Sequence, residues 1–154
     1  MINIGIIIEN DKDVESGLKF AKSLDSNKYN VCIFSDMLVV GDFVCFSPSE
    51  VVYFRGILLS YTARGLSKIQ HMRNIDKMIL VTPSNSIEEN QVITLMDLKQ
   101  DNRFMVLLNE DTSSDIEKDT KNVYRKLAVK PKTFSNKQQS SNFCPSINKI
   151  LGEL

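Results

Sequence analysis

Few side chains in this sequence have the type and spacing to do chemistry. His71 is the only histidine, so no Ser/His/Asp relay can be assembled without it, and no Gly-x-Ser-x-Gly elbow presents a nucleophile. It falls near the end of an expected helix, where a cation complements the helix dipole, and it reads as a structural or surface residue. Cys32, Cys45 and Cys144 are odd in number and far apart. That pattern fits reduced thiols better than a disulfide framework or a zinc site. Binding a phosphate needs glycines that let backbone N–H groups approach the anion. The loop after the first apolar run reads Glu9-Asn10-Asp11-Lys12-Asp13 instead, and its carboxylates repel phosphate. No Gly-Lys-Ser/Thr occurs. The sequence therefore offers no catalytic residue, no metal site and no cofactor.

What remains is a ligand site set by architecture. In open parallel sheets, ligands sit beyond the carboxyl ends of the strands. With the apolar run at 51–54 read as a strand, Arg55 stands at such an end to receive a small anion, and Gly56 allows close approach. Asn10, Asp11, Thr82 and Ser84 stand in neighbouring loops and complete the expected ligand site. The competing reading is a surface arginine paired with Asp11 or Asp36.

The elements that must position these residues follow from apolar periodicity. Residues 4–8, 31–34, 51–54, 77–81 and 104–108 read as strands, and 14–25, 57–72, 87–99 and 115–127 as helices. That order predicts an α/β fold: a three-layer, open, mostly parallel sheet of about five strands, Rossmann-like or flavodoxin-like, with a C-terminal tail. The nearly continuous Ile4, Ile6, Ile7 and Ile8 suit a strand buried on both faces. Val14, Leu18, Ala21 and Leu24 form the expected inner stripe of the first helix, with Asp11 or Asp13 as its cap. Leu58, Tyr61, Gly65, Ile69 and Met72 form that of the second. Gly65 costs a helix about 1 kcal/mol relative to alanine, which points to close packing on the sheet. Between 35 and 50, Gly41-Asp42 separates two apolar runs and Pro48 breaks any helix, so either a short hairpin or an irregular crossover is expected. Ser86 with Glu89 and Ser114 with Glu117 fit capping boxes. Ile116, Val123 and Leu127 face inward on the fourth helix.

Lys plus Arg equal Asp plus Glu at 19 each, so no net charge draws the whole chain to nucleic acid or anionic lipid. No apolar run approaches the ~20 residues of a membrane span, and residues 1–8 lack the basic flank and cleavage site of a signal peptide. With its thiols reduced, the chain reads as cytoplasmic. Cys32 and Cys45, in apolar runs, are expected to be buried and Cys144 exposed. The neutrality hides an asymmetry. Residues 1–117 carry 11 basic and 17 acidic side chains, and residues 118–154 carry 8 basic and 2 acidic. An acidic body with a basic tail neutralises itself or meets an anionic partner. Three parts are expected: an α/β domain over 1–127, a polar basic linker over 128–142, and a short amphipathic docking segment over 143–154. In the last, Ile147, Ile150, Leu151 and Leu154 form an apolar stripe on a helix too short to stand alone. It must dock on the body, on a second copy or on a protein partner, and its four residues are the expected partner-binding site.

Two resemblances bear on function. Residues 4–36, with Gly17-Leu18-Lys19-Phe20-Ala21-Lys22-Ser23-Leu24 ahead of Lys28-Tyr29-Asn30-Val31, and then Val52-Tyr53-Phe54-Arg55-Gly56, resemble the Rossmann-like domains of two-domain glycosyltransferases. The acidic first loop departs from the Gly-rich loop of that family. The resemblance implies a half-enzyme or relic that binds a nucleotide sugar or an acceptor. Glu9-Asn10-Asp11 after the first strand and Thr82 after the fourth resemble a response-regulator receiver domain. Arg55-Gly56 stands where the phospho-acceptor aspartate belongs, and Lys130-Pro131 follows the fourth helix rather than the fifth strand, so this second resemblance implies a pseudo-receiver that is not phosphorylated. Without catalytic spacing or a cofactor loop, and with an unpaired C-terminal stripe, the chain is expected to be a non-catalytic binding or assembly module working through protein–protein contacts.

Overall fold

Residues 4–8 carry isoleucine at four of five positions, and such a run suits a strand covered on both faces. The computed structural model, which describes residues 1–47, 49–81, 89–109, 114–135 and 145–154, places them inside a parallel sheet. In chain order the elements are β1 (Ile2–Ile8), α1 (Val14–Ser23), β2 (Tyr29–Ser35), β3 (Leu38–Val40), β4 (Phe43–Ser47), β5 (Glu50–Tyr53), β6 (Gly56–Ser60), α2 (Ala63–Ile69), β7 (Ile75–Val81), α3 (Glu89–Leu98), β8 (Phe104–Asn109), α4 (Ser114–Lys126), β9 (Lys132–Phe134) and α5 (Ile147–Gly152). The main sheet has six strands in the order β2-β1-β6-β7-β8-β9, all paired in parallel. Strands β3, β4 and β5 form a separate antiparallel sheet. The fold is α/β, three-layered and Rossmann-like, and its strand order reverses between β1 and β6.

Alternation along the strands sorts side chains onto two faces. On one, Ile4, Ile6, Ile57, Leu59, Ile79 and Leu107 pack with Phe20 of α1, with Leu24 just past its end, and with Ile147, Ile150 and Leu151 of α5. On the other, Ile7, Leu58, Met78, Leu80 and Val106 pack with Leu66 and Ile69 of α2, Leu95 and Leu98 of α3, and Tyr124 of α4. The chain crosses the sheet one way from β1 to β2 and the other way from β2 to β9. Right-handed crossovers then change face at that reversal, which is why α1 stands opposite α2, α3 and α4. Two helix glycines bring their helices close. A Cβ on Gly17 would lie 2.8 Å from Cδ1 of Ile8, and one on Gly65 would lie 2.2 Å from Oγ of Ser60.

The helix expected over 57–72 begins as a strand. Residues 56–60 are buried at all five positions, and α2 starts only at Ala63, behind Thr62, whose Oγ1 accepts from the Gly65 N–H at 3.1 Å. A strand buried on both faces has no alternation, so its apolar run reads like the inner turn of a helix. The run at 51–54 belongs mostly to the small sheet, as β5. The region 37–50 is a hairpin and not an irregular crossover. Gly41 has φ +59° while Asp42 does not take positive φ, the pattern of a type II′ turn. The stretch 128–142, expected as a linker, contributes the sixth strand of the main sheet. Strand β9 pairs with β8, and Phe134 is fully buried with its ring edge-to-face against Phe20 at 6.0 Å. The body therefore extends past residue 127.

The inner stripe of α1 is offset from the expected one. Val14 and Leu18 are exposed, and Gly17 and Phe20 are buried, because Gly17 lets that side of the helix approach Ile8. Asp13 occupies the N-cap position, but its side chain makes no capping bond. On α4, Leu127 is buried just past the helix end and Val123 half-buried, as expected. Cys32, expected to be buried, is exposed on the edge strand β2, and Cys45 is half-buried. Cys144 and Ser86 lie outside the described residues, as do the side chains of Ser114, Ile116 and Glu117. Among the described residues no helix is long and apolar enough to cross a membrane.

The C-terminal stripe is covered by its own chain. Ile147, Ile150 and Leu151 are buried with Phe20, Leu24 and Phe134, and only Leu154 stays exposed. Asn148 fastens α5 to the end of α1. Its amide donates to the Ser23 carbonyl at 2.9 Å, and its oxygen accepts from the Asp25 N–H at 2.9 Å. The expected cap is present too, Ser146 Oγ accepting from the Lys149 N–H at 3.3 Å. Ile147, Ile150 and Leu151 are therefore core residues and present no surface to a second chain.

Candidate functional site

The crevice where strand order reverses lies beyond the carboxyl ends of β1 and β6. Several of its described polar groups satisfy one another. Ser60 Oγ accepts from the Thr62 N–H at 3.1 Å. The Tyr61 hydroxyl donates to the Ser16 carbonyl at 3.1 Å, and Lys68 Nζ meets both carboxylate oxygens of Glu9 at 3.0 Å. Burial, then the negative charge of Asp13, push the Tyr61 phenol well above its ordinary range, so it is a neutral donor. Asn10 and Asp11 stand here, both exposed, and Thr82 and Ser84 lie outside the described residues. Glu9 is neutralised by Lys68, and the exposed loop beside it carries Asp11 and Lys12, so no surplus of positive charge is offered to a phosphate.

Arg55 and Gly56 stand at the other edge of the sheet. Gly56 begins β6 instead of ending a strand, so Arg55 is near the amino ends, where its carbonyl accepts from the Asn3 side-chain amide at 3.2 Å. A five-residue strand spans about 16 Å, so a small ligand held by Arg55 cannot also touch Asn10 and Asp11. The same separation rules out an ion pair from Arg55 to Asp11 or Asp36. Gly56 has φ +140°, and a Cβ there would lie 2.3 Å from the Asn3 carbonyl oxygen. Its missing side chain serves the close entry into β6 rather than the approach of an anion. Of the four expected ligand residues that are described, Arg55 and Gly56 stand apart from Asn10 and Asp11.

A different surface has the properties of a site. The crossover from β2 to β6 is built from β3, β4 and β5 instead of a helix. The register sets Leu38 beside Cys45 beside Val51, and Val40 beside Phe43 beside Tyr53. Residues opposite each other in an antiparallel pair share a face, so these six side chains form one face. The other face carries Val39, Val44 and Val52, the last 43% exposed at the edge strand β5. Val44 is fully buried and Val39 packs against the core, which turns the six-residue face outward. None of the six is ionisable except the Cys45 thiol and the Tyr53 phenol. Five are exposed, from 46% at Phe43 to 73% at Leu38, and Cys45 is half-buried. The rings of Phe43 and Tyr53 meet edge-to-face at 5.6 Å.

This face is anchored to the body at both ends. Met37 and Phe54, at the two ends of the small sheet, are buried, and Phe54 meets Phe34 of the main sheet edge-to-face at 5.4 Å. Phe34 fits because β1 has a glycine beneath it. A Cβ on Gly5 would lie 2.6 Å from the Phe34 ring and 2.6 Å from Leu58. The Arg73 N–H donates to Asp42 Oδ1 at 2.9 Å, and the Asn74 amide donates to the Tyr53 hydroxyl. The signal was present in the sequence. Leu38-Val39-Val40, Phe43-Val44-Cys45 and Val51-Val52-Tyr53 are apolar at both parities, whereas an antiparallel sheet with one solvated face alternates.

A second surface is weaker. A groove of about 500 Å³ at the end of α4 is lined by Tyr124, Val129 and Pro131 with Lys121, Arg125 and Lys130 at its rim. It faces a helix C-terminus, whose partial negative charge opposes an anion. Among the described residues no group of three His, Cys, Asp or Glu side chains is placed to hold a metal ion. No protein-family model, no curated protein and no solved structure matches the chain.

Proposed function

We propose that the chain is a non-catalytic α/β module that acts through protein–protein contacts, made by the outward face of the small sheet. The observation that carries this reading is the contiguous apolar face of Leu38, Val40, Phe43, Cys45, Val51 and Tyr53. Single exposed apolar side chains are ordinary, but a contiguous patch of about 500 Å² is at the upper range of what a monomer exposes, and such patches are often functional. The inward face, through Val39 and Val44, already attaches the small sheet to the core, so the outward side chains have no evident part in folding. A pre-ordered surface also loses little entropy on binding. Among the described residues of the crevice at the carboxyl edge, Ser60, Tyr61, Lys68 and Glu9 are taken up by hydrogen bonds within the chain, which supports the non-catalytic half of the reading.

The test is thermal melting of the parent chain with a panel of nucleotides and nucleotide sugars, beside the variants Leu38→Lys and Val51→Lys. Surface substitutions change stability by roughly 0.5 kcal/mol or less, and 1 kcal/mol moves the midpoint by about 2–4 °C at this size. Both variants should therefore melt within about 2 °C of the parent, and no nucleotide should raise the midpoint. A ligand at a hundred times its dissociation constant adds about 2.7 kcal/mol, or roughly 5–10 °C. A rise of that size would overturn the proposal in favour of the glycosyltransferase-like alternative. A fall of several degrees in the lysine variants would show that the face is covered by the chain itself.

A further inference from the structure

We infer that the occupant of the outward face of the small sheet is the same face of a second copy of this chain, packed sheet on sheet about a two-fold axis. This rests on the reading of that face as a protein-binding surface and adds the identity of the partner.

Area is the first argument. At the observed exposures, the six side chains offer about 500 Å² per copy, so two copies bury about 1,000 Å² before any rim residue is counted, the lower bound of a specific interface. Charge is the second. In an isologous contact the same patch occurs on both sides, so a fixed charge inside it meets its own sign. A face with none of Asp, Glu, Lys or Arg among six outward positions is free of that penalty. The turn between β3 and β4 carries Asp42, whose carboxylate is held by the Arg73 N–H, so the charge nearest the face lies at its end and not inside it. A surface shaped for a differently charged partner carries a one-signed pattern that steers encounter, and this one does not.

Shape is the third. Two antiparallel sheets pack face to face about 10 Å apart with side chains interdigitating, and a three-stranded face is matched in width by another three-stranded face. The row Val40–Phe43–Tyr53 supplies the bulk, and the smaller row Leu38–Cys45–Val51 supplies the space. The small area and the aqueous rim place the dimer in the weak class, so association depends on concentration.

The experiment uses the full chain over a dilution series from about 1 to 500 µM, chosen for weak association, with mass read by light scattering and sedimentation. The expected result is a mass that doubles across the series, and loss of that doubling in Leu38→Lys and Val40→Lys, with melting unchanged at the dilute end of the series, where the parent is monomeric. A second measurement uses the Cys32→Ser, Cys144→Ser variant, in which Cys45 is the one thiol. Its labelling by a maleimide should slow at least fivefold from the dilute to the concentrated end. A parent chain that stays monomeric throughout, or lysine variants that associate as the parent does, overturns the second copy as partner. Monomeric chain that sediments with neutral phosphatidylcholine vesicles assigns the face to lipid and also overturns it. Neither result bears on whether a nucleotide binds, and a lysine variant that melts early refutes the exposed face itself. Failure of the dimer is thus distinguishable from failure of the binding-face reading.

Discussion

Replacing Ile150 by alanine should cost the folded chain about 3 kcal/mol while leaving its mass unchanged. Ile150 is 3% exposed and packs on the α1 side of the sheet with Phe20, Leu24 and Phe134. Alanine removes three carbons worth about 0.8 kcal/mol each on transfer, and the cavity left behind adds to that, within an observed span of roughly 2–5 kcal/mol. For a chain of this length, about 3 kcal/mol lowers the melting temperature by roughly 6–12 °C. Leu154, at 43% exposure, is the internal control, and its alanine variant should stay within about 1 kcal/mol of the parent. Asn148→Ala belongs to the same series. It leaves the Ser23 carbonyl and the Asp25 N–H without their partner and should cost about 1–3 kcal/mol. Urea or thermal denaturation followed by circular dichroism gives the stability, and light scattering gives the mass. If Ile150→Ala melted with the parent but changed its mass or shed a bound protein, α5 would be an interface element and the docking described above would be wrong.

Helix α4 ends in a Schellman motif, with the Val129 N–H on the Tyr124 carbonyl at 2.9 Å and the Ala128 N–H on the Arg125 carbonyl at 3.1 Å. Ala128 sits at φ +56°, where a non-glycine residue is strained by about 1–2 kcal/mol. Ala128→Gly should therefore raise the melting temperature by about 2–4 °C, and a fall would contradict the motif. The Asp101 carboxyl is held below its usual range first by its hydrogen bond from Arg103, which also donates to the carbonyls of Gln70 and Met72 behind α2. That lowering contributes stability present above the unfolded carboxyl value of about 3.9 and lost as the pH falls through the lower folded value. Asp101→Asn should lower stability at pH 7, with the gap closing on acidification below about 4; a gap constant with pH would remove Asp101 from the acid response. In dilute Cys144→Ser protein, a thiol reagent should modify exposed Cys32 before half-buried Cys45, and a protected Cys32 would contradict the edge position of β2.

The fold class was legible because its strongest signals are local and redundant. Four isoleucines in residues 4–8 fix a central strand, and Gly41-Asp42 fixes a turn. The 51–60 region is ambiguous in sequence because two apolar runs stand side by side around Arg55-Gly56, and periodicity alone does not separate a doubly buried strand from a buried helical turn. Thr62, three residues before Gly65, marked where the helix starts. Strand β9 was missed because Lys132 and Thr133 are exposed and only Phe134 reaches the core. The expected ligand site inherited the misplaced strand, so Arg55 landed at the wrong edge. The apolar spacing of Ile147, Ile150 and Leu151 shows that the stripe needs cover, but not that the cover is its own chain rather than a partner. What covers it is a long-range contact with Phe20 and Phe134, to which no pattern inside the stripe points.

The gap at Gly5 ties together positions far apart in the chain. The Phe34 ring occupies the volume that a side chain at position 5 would take, and Phe34 in turn holds Phe54 at the root of the small sheet. One methyl group added in the middle of the main sheet would thus be felt at the outward apolar face, through two rings and no direct contact. Positions 5, 34 and 54 are therefore one unit of inheritance. In descendants of this sequence, an alanine at 5 should travel with a smaller residue at 34, while Leu38 and Val40 drift with whatever they touch.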